Sequence, residues 1–344
     1  MFENASRTEL SAIGEFALIE HITKDIQLQQ NTVKGVGDDA AVIDQGNGTF
    51  TLVSTDLLVE GVHFDLSYFP LKHLGYKSIT TNLSDIYAMN GTPKQVTVSI
   101  ALSNRFSLEA VEEIYAGIRL ACNHYKVDLV GGDTSTAKQG LMISVTAIGE
   151  VEAEKIAYRN GAKPLELVVV SGDLGASYCG YQVLEREKRI FLDNPNAQPD
   201  LAGYDYIIER QLKPEARKDV IAILENLGVK PSSMIDISDG LASECFHLAK
   251  ESGVGITLYE EKVPIDPTTY NFARELDLDP IVTALSGGED YELLMTISQQ
   301  DYAKIENHPD LTVIGFVTEA AEGMNLISKG GQKHGLKAQG WKAF

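Results

Sequence analysis

The chain has 344 residues, of which 44% are hydrophobic and 23% charged, and its formal net charge is −20. This is the composition of a globular protein with room for about two domains, and the charge disfavours nucleic acid and anionic membranes as partners. Because no apolar run could span a bilayer, no secretory signal opens the sequence and three separated cysteines fit reduced thiols, we expect a cytoplasmic protein.

The first part of the chain is predicted to mix helices and strands. Apolar residues at helical spacing predict helices over residues 8–22, 71–89 and 107–124. Alternating or continuous apolar runs predict strands over residues 40–43, 49–54, 95–102, 127–130 and 141–148. Glycine-rich loops are expected at residues 35–39 and 131–134, next to these strands.

The second part also mixes the two element types. Strands are predicted over residues 167–170 and 291–297, and helices over residues 216–227 and 241–252. This mixture in both parts predicts a two-domain α/β (α+β) protein. We expect the domains to cover residues 1–155 and 156–344, because a turn with glycine and proline at residues 159–164 opens the second part.

Acidic residues stand beside glycine at several predicted ends of strands. They are Asp38, Asp39, Asp56, Asp133, Asp236, Asp239, Glu289 and Asp290. Asp85 instead lies within a predicted helix, on a polar edge that also holds Thr81 and Asn82. A single aspartate is most often a solvated charge or a turn former, but the repetition favours metal ligands. Since no His or Cys pair has a transition-metal spacing, the oxygen donors indicate Mg²⁺ or Mn²⁺.

The common nucleotide-binding motifs are missing from the sequence. There is no GxxxxGK[ST] loop and no protein-kinase motif set. Residues 35–40 (GVGDDA) match the spacing of a dinucleotide loop, but two aspartates would face the pyrophosphate and a strand follows. The residues alone therefore predict a metal-dependent enzyme that acts on a phosphorylated ligand. His63 stands alone, and a core or surface role stays open for it.

Seven short motifs follow one another along the chain. They are GVGDDA at 35–40, STD at 54–56, VEGVHF at 59–64, NLSD at 82–85, GGDT at 131–134, DISDGL at 236–241 and LSGGEDYEL at 285–293. Each is weak alone, but in this order they resemble the thiamine-monophosphate kinase family of the aminoimidazole ribonucleotide synthetase-like superfamily. The resemblance extends from about residue 14 to residue 341.

The resemblance implies a fold and an assembly. The N-terminal domain would bind ATP and Mg²⁺ and would pair its sheet with that of a second copy, which makes a homodimer. The C-terminal α/β domain would complete the ATP and acceptor sites. The implied reaction is direct in-line transfer of the γ-phosphoryl group of ATP to thiamine monophosphate, the last step of thiamine diphosphate biosynthesis.

The resemblance also implies roles for particular residues. The implied metal ligands are Asp39, Ser54, Thr55, Asp56, Asp85, Asp133, Asp236 and Asp239. The implied ATP contacts are Tyr115, Gly132, Asp133, Arg159 and Ser238, with Asp133 and Arg159 as catalytic residues. The implied acceptor pocket consists of His63, Glu289 and Trp341.

The acidic composition agrees with two phosphorylated substrates. ATP brings about four negative charges and a phosphate monoester about two, so about three Mg²⁺ ions would neutralise them. The acceptor oxygen is already ionised, so no side chain has to act as a general base, and positioning with charge neutralisation can supply catalysis.

Two departures and three alternatives stay open. Leu165-Glu166 stands where the family pattern has Gly-Asp, and the loop at residues 171–180 differs from the family form, so no role is assigned to it. Another ATP-using superfamily member, such as a selenophosphate synthetase, a hydrogenase-maturation dehydratase or an amidine synthetase, is one alternative. A non-catalytic nucleotide or metal sensor is another. Trp341, near the C-terminus, could instead be a simple apolar anchor.

Overall fold

A computed structural model of the chain describes residues 9–338. Trp341, predicted to line the acceptor pocket, therefore lies outside the described residues. None of the helices between residues 9 and 338 has the length and apolar character needed to cross a membrane.

The first half of the molecule is built on a six-stranded sheet. Its strands are β1 (Thr32–Lys34), β2 (Ala41–Asp44), β3 (Thr49–Val59), β4 (Thr92–Leu102), β5 (Asp128–Thr136) and β6 (Leu141–Glu152). They lie in the order β1-β2-β3-β6-β4-β5, and only β4 and β5 pair in parallel. The helices are α1 (Leu10–Ile13), α2 (Glu15–Thr23), α3 (Leu71–Ala88) and α4 (Leu108–Tyr125).

The second half is built on a seven-stranded sheet in the order β13-β12-β9-β11-β7-β10-β8. Its strands are β7 (Leu167–Ser171), β8 (Ser233–Asp236), β9 (Val254–Tyr259), β10 (Leu293–Ile297), β11 (Leu311–Glu319), β12 (Met324–Ile327) and β13 (Lys333–Gly335). Its helices are α5 (Ala176–Asp193), α6 (Asp205–Leu212), α7 (Lys218–Leu227), α8 (Leu241–Ser252), α9 (Pro267–Glu275), α10 (Pro280–Ser286) and α11 (Tyr302–Ile305). Three short 3₁₀ helices cover Glu260–Lys262, Gln299–Asp301 and Ala320–Glu322.

Helix α3 lies at the centre of the molecule. It packs against α4 and against strands of the first sheet, and it also contacts β8 of the second sheet. Its apolar residues Ile79 and Leu83 are fully buried, but so are Ser78, Thr81 and Asn82 on its polar edge. A buried polar edge needs hydrogen-bond partners: the Ser78 and Thr81 hydroxyls donate to carbonyls within α3, and Asn82 accepts from the Asp56 N–H of β3.

Two predicted elements differ from the structure for local reasons. The predicted helix over residues 8–22 is divided by Gly14, whose φ of 74° is outside the helical range. The loop predicted at residues 131–134 is wrong, because these residues continue β5 through a bulged parallel pairing with β4. Helix α4 is capped by Ser107, whose hydroxyl accepts a hydrogen bond from the Ala110 N–H.

Candidate active site

A cleft of about 850 Å³ opens between the two halves of the molecule. The first half lines it with the end of β3, the following loop and α3. The second half lines it with the start of α5, the loop after β8, the end of α10 and the loop that precedes β10. Most of the residues implied by the family resemblance lie in or beside this cleft, and a few lie far from it.

Three aspartates, two of them buried and Asp85 partly buried, meet at the base of the cleft. Asp39 precedes β2, Asp85 lies in α3, and Asp236 ends β8. One carboxylate oxygen from each lies within 4.8 Å of the others. Three carboxylates at this spacing can share one cation, and all three were predicted as metal ligands.

The pKa values of these carboxyl groups are raised. Burial raises the pKa of Asp236 to about 7, and the nearby Asp39 adds to the rise. Burial also raises the pKa of Asp85, with further contributions from Asp56 and Asp236. Asp56 has a pKa of about 6, again because it is buried. Without a cation, the folded protein therefore disfavours the fully ionised form of the cluster.

Neutral side chains orient the carboxylates. The Ser54 hydroxyl donates a hydrogen bond to Asp85, and the Ser84 hydroxyl donates one to Asp236 at 2.5 Å. The second bond joins α3 to β8 and so links the two halves. Ser84 belongs to the NLSD motif but was given no role by the sequence. Its position one residue before Asp85, in the same motif, is the signal that could have found it.

Asn82 has a similar positioning role next to the cluster. Its side-chain oxygen accepts a hydrogen bond from the backbone N–H of Asp56 at 2.9 Å, and its amide nitrogen donates to the Ser78 carbonyl at 3.1 Å. The strand that carries Asp56 is thereby attached to α3, which carries Asp85. The two carboxylates are held on facing elements rather than on flexible loops.

Arg159 binds one side of Asp39. Its guanidinium donates to Asp39 Oδ1 at 2.8 Å and 3.3 Å, and its backbone N–H donates to Asp38 Oδ1 at 3.1 Å. Asp39 Oδ2 is buried and has no hydrogen-bond partner among the described residues. A buried oxygen without a partner is costly, and here it lies beside two other carboxylates. The donor set, which is all oxygen, fits a hard divalent cation such as Mg²⁺.

The loop after β8 carries the two other predicted site residues of this strand. Ser238 and Asp239 line the cleft, and both backbone N–H groups donate to Glu244 Oε1, at 3.2 Å and 2.8 Å. Glu244 lies in the first turn of α8 and is buried. It was not identified from the sequence, since a glutamate near a helix start is ordinary; its role is visible only from the folded loop.

His63 and Glu289 lie together at the other end of the cleft. Both line it, and Glu289 Oε1 is 2.9 Å from the ammonium group of Lys77. His63 Nδ1 accepts a hydrogen bond from the Val59 N–H at 2.9 Å. Burial lowers the pKa of His63, the charge of Glu289 opposes the change, and Lys77 adds to it. His63 is therefore neutral at physiological pH, with its proton on Nε2.

Four predicted residues are not brought to the cluster within one chain. Alternation along β3 places Thr55 on the face opposite Ser54 and Asp56, where its hydroxyl donates to the Val145 carbonyl at 3.0 Å. Gly132 and Asp133 lie in β5, at the far edge of the sheet.

The register shows how far Asp133 is from the cluster. Asp133 pairs with Ser99 of β4, which pairs with Ser144 of β6, which in turn pairs with Leu57 of β3. Three strand spacings amount to about 14 Å. Tyr115, in α4, packs against the first core and does not line the cleft.

Relatives of known sequence cover nearly the whole of this chain. A family model for the N-terminal domain of AIR synthase related protein matches residues 37–151. The thiamine-monophosphate kinase of Bacillus subtilis is 33% identical over 337 residues, which are 96% of this chain and 100% of that protein. The chain belongs to the thiamine-monophosphate kinase family.

Further comparisons agree with this membership. The thiamine-monophosphate kinase of Aquifex aeolicus is 36% identical over 97% of this chain and 99% of its own length. A solved structure of AaThiL complexed with AMPPCP and TMP has a TM-score of 0.84 and 33% identity, covering 99% of this chain and 100% of that chain. The aminoimidazole ribonucleotide synthetase-like fold that the motifs implied is confirmed.

One departure from the thiamine-monophosphate kinase pattern lines the cleft. Ser177 and Tyr178, in the divergent segment at residues 171–180, lie in the first turn of α5 and contribute to the wall of the cleft together with Tyr181. Asp290 accepts a hydrogen bond from the Gly175 N–H at 2.8 Å and so attaches this loop to the segment before β10. The family resemblance gave this segment no role, because its sequence differs from the family form.

Proposed function

We propose that this chain transfers the γ-phosphoryl group of ATP to thiamine monophosphate, giving thiamine diphosphate and ADP. The observation that carries the proposal is the cluster of Asp39, Asp85 and Asp236 at the base of an interdomain cleft, in a chain of the thiamine-monophosphate kinase family. Such a cluster suits two polyanionic substrates, since neither could approach the other without divalent cations.

The proposed metal ligands are the three clustered aspartates and the oxygen donors next to them. Asp39, Asp85 and Asp236 would hold Mg²⁺, with Asp56, Asp239 and Ser54 beside them. When bound, Mg²⁺ supplies charge neutralisation for the transferring phosphoryl group and for the phosphates on either side of it. Ser84 and Asn82 keep Asp236 and the Asp56 strand in place, so the site does not reorganise as the substrates enter.

The chain's own cation at this end is Arg159. Its guanidinium lies against Asp39 and its side chain is partly exposed, so the remaining N–H donors can reach a phosphate oxygen. Ser238, on the cleft wall, would contact the nucleotide with its hydroxyl. Glu244 holds the loop that carries Ser238 and Asp239.

Acceptor recognition falls to the opposite end. Glu289 offers a carboxylate to the cationic thiazolium or to the aminopyrimidine N–H groups of thiamine monophosphate. His63 is neutral and therefore does not repel that cation. Trp341 would close the pocket with its indole face. The acceptor phosphate is already ionised, so His63 is not needed as a general base.

A homodimer accounts for the residues that lie far from the cleft. Every residue of β5 is exposed, including Leu129 and Val130, and an exposed apolar edge strand is a natural pairing surface. In a two-fold dimer the Asp133 of a second copy, together with its Gly132, would approach a cleft that the chain's own Asp133 does not reach.

Three coarser assignments accompany the proposal. Residues 1–155 would form the ATP- and Mg²⁺-binding and dimerisation domain, and residues 156–344 the α/β domain that completes both sites. The boundary falls between β6 and β7, which belong to different sheets. A cytoplasmic location is the third assignment, and it rests on the sequence.

The decisive experiment is a turnover assay. The protein is incubated with Mg·ATP and thiamine monophosphate, and the phosphorus NMR spectrum is followed for thiamine diphosphate and ADP. Free thiamine serves as the control acceptor and should give no product, because it lacks the ionised phosphate. ATP binding without any transfer would instead support a non-catalytic sensor, and equal activity on free thiamine would contradict the acceptor assignment.

A further inference from the structure

We propose that Lys77 is a positioning residue for the acceptor pocket. Its ammonium group holds Glu289 Oε1, so that Oε2 of the same carboxylate faces the acceptor. The proposal rests on the proposed function and adds a residue that the motifs do not single out. It concerns the acceptor end of the cleft only and makes no claim on ATP.

Lys77 is buried, although lysine is among the residues least often buried. Its exposed fraction is 0%, and it lies in α3 one helical turn before Thr81 and two turns before Asp85, both of which line the cleft. Lys77 itself does not line the cleft. Its ammonium group therefore acts from behind the wall rather than on a ligand.

The surroundings of the ammonium group direct it to Glu289. Besides Glu289 Oε1 at 2.9 Å, it has the Gln211 carbonyl at 3.4 Å and the ring centroid of Phe69 at 5.5 Å. Glu289 is its only carboxylate partner within 4.0 Å among residues 9–338. A buried charge of this kind is costly, and an apolar residue of similar size would usually stabilise the fold as well or better. This favours a role in the site.

The backbone fixes Glu289 from the other side. Its φ of 55° lies in the left-handed region, and its N–H donates to the Ser238 carbonyl at 2.7 Å. Gly288, with φ of 72°, packs so closely that an added Cβ would lie 2.6 Å from the same carbonyl. A strained turn that places one carboxylate is a feature of binding sites.

The two oxygens of Glu289 are thus in different situations. Oε1 is taken by Lys77, whereas Oε2 makes no hydrogen bond to any residue that the structure describes, and the side chain is 30% exposed toward the cleft. A carboxylate held at one oxygen loses the freedom to rotate away from a ligand. The remaining oxygen can accept from the acceptor's amino group or face its cationic ring.

The test is a double-mutant cycle on Lys77 and Glu289. Wild type, Lys77→Met, Glu289→Gln and the double variant are assayed for the KM of thiamine monophosphate, the KM of ATP and kcat. We expect each single change to raise the KM of thiamine monophosphate about tenfold, with the KM of ATP changed less than about twofold. The double variant should be no worse than the poorer single variant, because both changes remove the same interaction.

Two further variants separate positioning from stability. Lys77→Arg keeps a cation and should recover the KM of thiamine monophosphate to within about threefold of wild type. Tyr76→Phe is the matched control: it removes a buried hydrogen bond to Glu215 from the neighbouring position of α3, and it should change the melting temperature but not the KM. If Lys77→Met does not fold, Lys77→Gln takes its place in the cycle with the same expectation.

The possible outcomes are distinct. If wild type forms no thiamine diphosphate, the proposed function is wrong and this inference is lost with it. If wild type is active, three results would show that only the role of Lys77 is wrong. The two single changes could have multiplicative effects on the KM of thiamine monophosphate, they could raise the KM of both substrates alike, or Tyr76→Phe could raise the KM of thiamine monophosphate as much as they do. A tenfold, acceptor-specific and non-additive effect supports it.

Discussion

The two ends of the cleft treat their carboxylates in opposite ways. At one end Asp39, Asp85 and Asp236 lie within 4.8 Å of one another, and burial raises their pKa values. At the other end Glu289 is paired with a buried lysine at 2.9 Å. At the first end the Arg159 guanidinium pairs with one of three clustered carboxylates, whereas at the second the Lys77 ammonium group pairs with Glu289. Under the proposed function, the first end would bind metal together with the phosphates, and the second would orient the organic part of the acceptor.

Removing a carboxylate from the metal end should have the largest effect. Asp85→Asn should lower turnover about 100-fold or more, because a site for Mg²⁺ loses a charged ligand at its centre. The same change should raise the melting temperature without Mg²⁺, since it relieves a buried charge whose pKa is already raised by its neighbours. Steady-state kinetics at limiting Mg²⁺ and a thermal melt check both parts. Near-normal turnover together with a lower melting temperature would show that Asp85 is only structural.

Complementation between two inactive variants tests whether the metal end needs a second chain. Asp133→Asn and Asp56→Asn should each lose turnover by a similar factor. Mixed in equal amounts after subunit exchange, they should recover about a quarter of wild-type activity, because half of the dimers then contain one site with both native residues. Light scattering establishes the dimer. If the mixture stays as inactive as the two variants alone, then either Asp56 and Asp133 act in a site formed by one chain, or Asp133 belongs to no site.

Substitution of Trp341 tests whether the acceptor end of the cleft includes an aromatic contact to the acceptor. Trp341→Ala should raise the KM of thiamine monophosphate about 2- to 30-fold, the range for losing a ring contact with a cation, and should leave the KM of ATP nearly unchanged. Trp341→Phe should recover much of the loss. Thiamine monophosphate should also change the fluorescence of this single tryptophan. Silent fluorescence with normal kinetics would make the residue an apolar anchor.

The smallest expected effect is the pH dependence of stability. The folded pKa of Asp236, about 7, lies above its ordinary value of 3.8, so the folded protein binds more protons than the unfolded one between these limits. The unfolding free energy without metal should therefore fall as pH rises through that window. Under the proposed function Mg²⁺ would bind the ionised carboxylates, so it should raise the melting temperature by at least about 2 °C at about pH 8 and less at about pH 5. An equal shift at both pH values would indicate binding elsewhere.

Predictions from the sequence succeeded where local pattern was enough. The helix over residues 241–252 is confirmed without change, because its apolar residues repeat at helical spacing and Gly253 ends it with a φ of 67°. Asp39 and Asp236 could also be singled out from the sequence. Both stand near glycine at the end of a predicted strand, where a side chain and the exposed backbone can contact the same ligand. Helices α5 and α6 were not predicted, since their apolar residues are few and the surrounding loops obscure the period.

The sequence alone thus determined which chemical groups this protein can use, namely oxygen ligands for a metal in place of a phosphate-binding loop. The order of its motifs also identified the family. Only the tertiary structure decided which of those residues act together. It separated Thr55 from Ser54 by the alternation of a strand, moved Asp133 three strands away, and placed Lys77 behind Glu289, which follows it by more than two hundred positions. The physical reason is that spacing along the chain reports local geometry, whereas the distance between two charges depends on how separate elements pack.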